Sequence, residues 1–495
     1  MIRLTVLIIL VLCSCKTVPV RKSVPVSKDH FFIFGGGYSA TGNQVSLEKN
    51  VNFINSILER HPPASRYILF ADGDKAERSL QYRVNDGFPD RFQELLIYCL
   101  GTTKRINDYY RPHSIQTQGS LKKVEIEKYF RDHGTAVKKD ERLFVYYTGH
   151  GGKGDKNDPH NTGLYLWHDG IYRMKDFSQR LQSVPPEVPV VCVMVQCYSG
   201  GFQNIIFKDG DPEKGLAANN ICGFYATVYN RLAAGCTPDI NEENYQEYST
   251  WFWTALAGRN RLGFKILKPD YDGDGRTSFD EAHAYTLINL RSIDIPTKTS
   301  EILLRQYTPK TFSKSLGISQ KSSLQHYLKV ADPSSNAVIE QLMKQTGAKA
   351  EWTIGDVLKE AELLAAKMAD IKKVNTDLSA ELKKLRPKVA AKIRYHYPEL
   401  GNPHHPATNE ILVHEKESIR KLLEKDSTYL SFKEKYLNQL TKKTESDLLE
   451  KKWVILRRLA RTLENVLYEP YFLQAVPEAV KQKYLQMRKL EKSFL

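Results

Sequence analysis

Phe144-Val-Tyr-Tyr-Thr-Gly-His150-Gly151-Gly152 and Val190-Val-Cys-Val-Met-Val-Gln-Cys197-Tyr-Ser-Gly-Gly201 are the two stretches around which the chain is organised. Each is an apolar run of strand length that ends in a reactive side chain and then glycines. The runs at 143–147 and 190–195 predict strands buried on both faces, the pattern of a parallel sheet covered by helices. Ligands of such sheets gather in the crevice outside the carboxyl ends of the strands. His150 and Cys197 are both expected at that edge. The glycines after each allow backbone N–H groups to approach a substrate with no Cβ in the way.

Strands and helices alternate on either side of these runs. Residues 30–37 read as a buried strand opening into a glycine loop. No GxGxxG or Lys-Ser/Thr spacing follows, which argues against a nucleotide site. Helical spacing at 45–58 and a strand at 67–72 complete a βαβ unit. Residues 75–115 are polar and read as an inserted loop region. A helix at 120–130 rests on Leu121, Val124 and Tyr129, with Ile126 off the stripe. A helix at 174–181, a strand at 221–227 and an aromatic helix at 249–256 follow. The alternation predicts one α/β domain over 30–300 with a mainly parallel sheet.

Beyond residue 300 glycine becomes sparse, and Lys, Glu and Leu dominate. We read 301–350 as a linker region and 351–495 as a helical domain. Thr353-Ile-Gly-Asp356 has the form of a capping box with Asp in place of Glu. Val357, Ala361, Leu364, Met368, Ile371, Leu378, Leu382 and Leu385 then lie on one helical face, and Pro387 is expected to end the helix. Further helical runs fall at 411–423, 432–440 and 448–467. The imperfect heptad register favours a bundle core over a coiled coil.

The 495 residues carry a formal net charge of +15, spread along the chain. No zinc-finger, helix-turn-helix or RNA-binding signature accompanies it, so nucleic acid is not an expected partner. Residues 1–15 read as a signal peptide, with Arg3 before a short apolar core. Leu12-Cys-Ser-Cys15 looks like a bacterial lipobox, which implies cleavage before Cys15 and lipidation of its thiol. Residues 16–29 then form a proline-bearing tether. Lys16 after the lipidated residue favours the outer membrane, so the expected location is the cell envelope, lipid-anchored. Of Cys99, Cys192, Cys197, Cys222 and Cys236, an odd set, at least one must be a free thiol. Cys197 is the candidate, while Cys192 and Cys222 read as core.

A cysteine nucleophile works as the thiolate and needs an imidazole to take its proton. Backbone N–H groups, here those of Gly151 and Cys197, are the natural donors to the developing oxyanion. The residues Thr148-Gly-His150-Gly-Gly, Gln196-Cys197-Tyr-Ser-Gly-Gly-Phe202 and 226–236 resemble the caspase-like cysteine peptidases, most closely the legumain-like branch and its bacterial relatives. The 47-residue step from His150 to Cys197 is near the ~50 of caspase-type enzymes. The resemblance covers roughly residues 30–300. It implies a caspase-like α/β/α sandwich, with His150 as general base and acid, Cys197 as nucleophile and Gly151 as oxyanion donor. It also implies peptide hydrolysis through an acyl-enzyme without a cofactor for catalysis. The loop 38–44 lacks the arginine of the legumain asparagine pocket. Asn43, Asp239 and Glu247 are the candidate substrate-binding residues.

Asp270-Tyr-Asp272-Gly-Asp274-Gly-Arg276-Thr-Ser278-Phe-Asp-Glu281 fits the EF-hand calcium loop over 270–281. Carboxylates stand at positions 1, 3 and 5, a glycine at 6, the Arg276 carbonyl at 7, Ser278 at 9 and Glu281 at 12. A structural Ca²⁺ is the expected metal. The chain is therefore expected to be a membrane-anchored, extracytoplasmic cysteine endopeptidase acting on peptides or proteins. A transpeptidase on the same dyad, or a non-catalytic surface-binding lipoprotein on this scaffold, are the alternatives.

Overall fold

The computed structural model describes residues 28–84, 89–101, 108–308, 316–402 and 405–495. The signal peptide, Cys15 and most of the tether lie outside the described residues. Six strands form the central sheet: β1 (Asp29–Gly36), β2 (Ser65–Phe70), β3 (Arg142–Gly149), β4 (Val190–Met194), β5 (Ile221–Tyr225) and β6 (Thr297–Lys298). Their order is β6-β5-β4-β3-β1-β2. The first five run parallel, and the short β6 closes the edge antiparallel to β5. The order reverses between β1 and β3, the switch point where doubly wound sheets open a crevice at their carboxyl edge.

The run of apolar residues in each strand serves two faces, because side chains alternate. On one face Phe31 stacks on Phe144 at 4.5 Å, and Phe144 meets Phe279 of helix Phe279–Asn289. Tyr146 meets Trp253 of helix Tyr248–Ala257 on this side. On the other face Phe32 and Phe34 pack on Phe130 of helix Lys123–Asp132, which meets Phe177 of helix Met174–Leu181. The fold is thus α/β, with helices on both faces of a mainly parallel sheet. In helix Lys123–Asp132 it is Ile126 that is fully buried, and Val124 is exposed. Packing against Phe130 and the sheet overrides the apolar stripe expected there.

Three expectations about the layout are corrected. Residues 75–115 are not one loop: Leu80–Arg83 pairs antiparallel with Asp108–Arg111, and Arg91–Leu100 is a helix with a capping box at Asp90. Residues 301–350 are not a linker, since helices Thr299–Tyr307, Leu324–Val330 and Pro333–Thr346 occupy much of them. Pro387 does not end its helix, which runs Ile354–His396 with the proline inside. A proline costs a hydrogen bond but tolerates a helix held by its neighbours, and here Leu382, Val389 and Ile393 are buried on both sides of it. The Thr353–Asp356 capping box is formed as read. The runs at 432–440 and 448–467 are parts of one helix, Ser427–Ala475, which packs along Ile354–His396.

The helical region does not stand apart from the sheet. Phe472, Tyr484, Met487 and Leu490 belong to the same core as the strands. Leu456, Leu459 and Leu463 share a second core with Ala284 and Leu287. Leu382, Val389 and Phe432 cover Leu95, Leu96 and Cys99 in a third. A boundary between 300 and 351 therefore divides no core.

Candidate active site

Tyr147 of β3 is paired with Met194 of β4. His150 and Cys197 each lie three positions beyond that pair. The ladder continues past it, with the Val195 N–H donating to the Tyr147 carbonyl at 3.1 Å. Both reactive side chains therefore stand on the carboxyl rim of adjacent strands. The two connections touch: a Cβ built on Gly151 would fall 2.0 Å from the Cys197 carbonyl oxygen and 2.6 Å from Gln196 Cγ. Only glycine fits there.

His150 Nε2 lies 2.8 Å from the Gly42 carbonyl and 2.9 Å from Gln44 Oε1. A carbonyl only accepts, so Nε2 carries the proton and Nδ1 keeps its lone pair. The loop after β1 thus orients the ring and selects the tautomer. The edge of Tyr38 closes over the imidazole at 5.2 Å between centroids. On the other strand end, the Cys197 thiol donates to the Ala233 carbonyl at 3.6 Å and accepts from the Ala233 N–H at 3.3 Å. Imidazole and thiol share no hydrogen bond with each other. Catalytic hydrogen bonds are often loose before substrate binds.

Burial lowers the pKa of His150 from its ordinary 6.5. Burial raises that of Cys197 from 9.0, and the carboxylate of Asp294 adds to the rise. Both shifts disfavour charge, so the resting pair is a neutral thiol and a neutral imidazole. A thiolate forms only when the proton passes to Nδ1.

Past His150 the chain turns into a short antiparallel ladder in which Gly151 faces Leu164. The Tyr165 N–H donates to the His150 carbonyl at 3.0 Å, which makes Gly151–Leu164 a non-hydrogen-bonded pair. The Gly151 N–H is thereby left outside the ladder. Cys197 is followed by Tyr198 at φ 60°, a left-handed conformation rarely taken by a side chain of this size. The turn is pinned by the Tyr198 N–H on the Arg231 carbonyl at 2.8 Å and by Thr162 Oγ1 on the Tyr198 carbonyl at 3.0 Å. Gln196, beside Cys197, is buried with neither amide atom hydrogen-bonded within the protein. Gly151→Ala is expected to push the Cys197 carbonyl aside, shift the two backbone N–H donors off the oxyanion position, and lower kcat by ~10²–10³-fold, the scale of one misplaced donor. The overlap with backbone is expected to lower the melting temperature as well, so a steady-state assay on the folded fraction checks the loss of kcat.

The three substrate-binding candidates have other duties. Asn43 is fully buried, accepting from the Gly37 N–H and donating to the Ser79 carbonyl. Glu247 is buried and paired with Arg261 at 3.0 Å. Asp239 caps the following turn through the Asn241 N–H and Asn244 Nδ2. All three thus hold the loops on this side of the sheet. Sequence reasoning also missed Gln44, Ala233 and Asp294. The Gly42 and Ala233 contacts are made by backbone atoms, which leave no residue-type signal. Asp294 accepts from the Ala234 N–H at 2.7 Å and so steadies the segment that clasps the thiol.

In the acidic loop, Asp270, Asp272 and Asp274 bring carboxylate oxygens within 4.8 Å of one another. Asp270 Oδ1 is buried without a hydrogen-bond partner, which suits a cation. Ser278 and Glu281 instead form the capping box of helix Phe279–Asn289. Glu281 Oε2 accepts from the Ser278 N–H and hydroxyl at 2.9 and 3.0 Å, and Oε1 faces the Asp272 N–H. The expected bidentate ligand is thus turned to the backbone. The Arg276 guanidinium lies over Phe494 at 3.5 Å from the ring centroid, leaving its carbonyl as the expected ligand group.

No protein family and no curated protein matches the chain. Among solved structures the chain is similar to protein GSU0716 from Geobacter sulfurreducens. That likeness has 10% identity, spans 54% of this chain and 92% of that one, and has a TM-score of 0.33.

Proposed function

We propose that the chain is a caspase-like cysteine endopeptidase that cleaves peptide bonds with a Cys197–His150 dyad. The observation that carries this reading is the common rim: two side chains 47 positions apart stand at equal depth beyond paired residues of adjacent strands. On substrate binding, His150 Nδ1 takes the thiol proton and Cys197 Sγ attacks the carbonyl carbon. The oxyanion meets the N–H groups of Gly151 and Cys197. His150 then protonates the leaving amine, and water, activated by the same nitrogen, hydrolyses the thioester. The Gly42 carbonyl and Gln44 stabilise the imidazolium while it exists. Turnover of a diverse peptide library, with cleavage sites read by mass spectrometry, tests the activity. Intact peptides after incubation with folded protein would remove it.

Lipidation at Cys15 would hold the enzyme at the outer membrane, facing extracytoplasmic substrates. Ca²⁺ would be held by Asp270, Asp272 and Asp274 with the Arg276 carbonyl, and supplies charge neutralisation to this acidic loop. Loading is expected to raise the melting temperature, because a ligand bound only by the folded state stabilises it. Chelator is expected to reverse the rise, and Asp272→Ala to abolish it. Identical melting with and without chelator would remove the metal.

A further inference from the structure

A cavity of about 310 Å³ lies between the edge strand β6, helix Thr299–Tyr307 and the last turns of helix Ser427–Ala475. None of its lining residues belongs to the His150 or Cys197 segments. Leu304, Leu316, Ile318, Val330 and Leu473 give it apolar walls. Charged groups of both signs reach it as well: Lys298, Arg488, Glu301, Asp332 and Glu469. Lys298 pairs with Asp280 and, at 3.5 Å, with Glu491. Arg488 pairs with Glu491, Asp280 and Asp332 at 2.7, 3.0 and 3.5 Å. Glu301 is held by Arg305 and Arg461 at 3.3 and 3.0 Å, and Arg305 also takes Glu464 at 3.3 Å.

These charges do not balance. Four cations, Lys298, Arg305, Arg461 and Arg488, face the six carboxylates of Asp280, Glu301, Asp332, Glu464, Glu469 and Glu491. Glu469 forms no ion pair among the described residues and accepts from the Tyr484 hydroxyl at 2.7 Å. Asp332 shares Arg488 with two other carboxylates, and otherwise caps helix Pro333–Thr346 through Ser335. A third acceptor is backbone. Pro470 has no N–H, so the Val466 carbonyl on the cavity wall lacks the donor of an unbroken helix. The two cations on the wall are already taken by carboxylates, so what is missing is a donor that carries positive charge. We propose that this cavity binds a small organic amine, an ammonium group on an apolar chain. An alkylammonium offers three N–H donors, which suit Glu469, Asp332 and the Val466 carbonyl. A buried charge is stable when it is paired in this way, and the chain covers apolar wall that water would otherwise wet. The site is separate from the Cys197–His150 pair and stands whether or not the chain is a peptidase.

Titration calorimetry on the full chain tests this with pentylamine, and with pentanol and pentanoate as its neutral and anionic counterparts. Pentylamine is expected to bind and to raise the melting temperature. Pentanol should bind ~10-fold or more weakly, the scale of a charge-assisted hydrogen bond, and pentanoate should give no heat. Glu469→Gln keeps an acceptor for Tyr484 and removes the charge, so it is expected to weaken pentylamine by ~10-fold or more. Asp332→Asn keeps the helix cap and should weaken it likewise. Cooperative melting of both variants without amine would show that binding, not folding, was lost. Should either variant fail to fold, the wild-type contrast between pentylamine and pentanoate decides alone. Equal binding of the three pentyl compounds, no heat with pentylamine, or undiminished affinity in both folded variants would each overturn the site. Binding of a Lys-bearing peptide with pentylamine silent would overturn the small-molecule reading and give these acceptors to a protein side chain.

Discussion

Cys197→Ala is expected to lower kcat/KM for any cleaved peptide by ~10⁴-fold or more, because the acyl-enzyme forms on its sulfur. His150→Ala is expected to cost nearly as much, and the double variant little more than either, since the two act as a unit. Neither should lower the melting temperature greatly, as both side chains are partly exposed at the rim. The pH profile follows from the neutral resting pair. Activity requires unprotonated Nδ1, so kcat/KM should rise with pH through the pKa of His150, with its midpoint below the ordinary 6.5 because burial lowers it. It should fall only above about pH 9, where the thiol, raised from 9.0, ionises without passing its proton to His150. A profile whose acid limb lies well above neutrality would mean that another group supplies the base. Retained turnover in Cys197→Ala would remove this thiol from the mechanism altogether.

Arg458→Met is expected to be the most destabilising single change in the helical region. Arg458 is 1% exposed and sits on helix Ser427–Ala475. Its guanidinium donates to the carbonyls of Leu290, Ser292 and Asp294 at 2.7, 2.9 and 2.8 Å. Methionine keeps the stem but leaves three buried acceptors unpaired, a loss of about 3–5 kcal/mol when each costs ~1–3 and some relax. The damage should reach the active site, because the Asp294 carboxylate holds the Ala234 N–H and Ala233 clasps the thiol. Urea unfolding should show a clearly lower midpoint, and the surviving folded fraction should show reduced kcat. Stability within about 1 kcal/mol of wild type would contradict the keystone role.

That link explains what the sequence could and could not disclose. The strands were legible because their apolar runs are buried on both faces, as Phe31–Phe144 and Phe32–Phe130 stacking shows. The candidate site was legible where it rests on residue type: His150 and Cys197, which the fold brings to one rim, and the glycines that a Cβ would exclude. It was opaque where backbone atoms or distant side chains act. The Gly42 carbonyl that sets the His150 tautomer has no compositional mark. Arg458, lying 261 residues after Cys197 in the chain, looks like one basic residue among many on an amphipathic helix. The domain boundary near 300 failed for the same reason. A change in composition marks where glycine and strands give out, but Leu459 and Phe472 are buried against the sheet domain's own elements.

The central claim is that the Cys197 thiol is made nucleophilic by His150 across one rim of the sheet. Reaction with an electrophilic peptide probe, followed by mapping of the modified residue by mass spectrometry, tests it most directly. The account predicts one adduct, on Cys197, formed in wild type, slowed by ~10²-fold or more in His150→Ala and absent in Cys197→Ala. An adduct on Cys99 or Cys236, or equal labelling rates with and without His150, would contradict it.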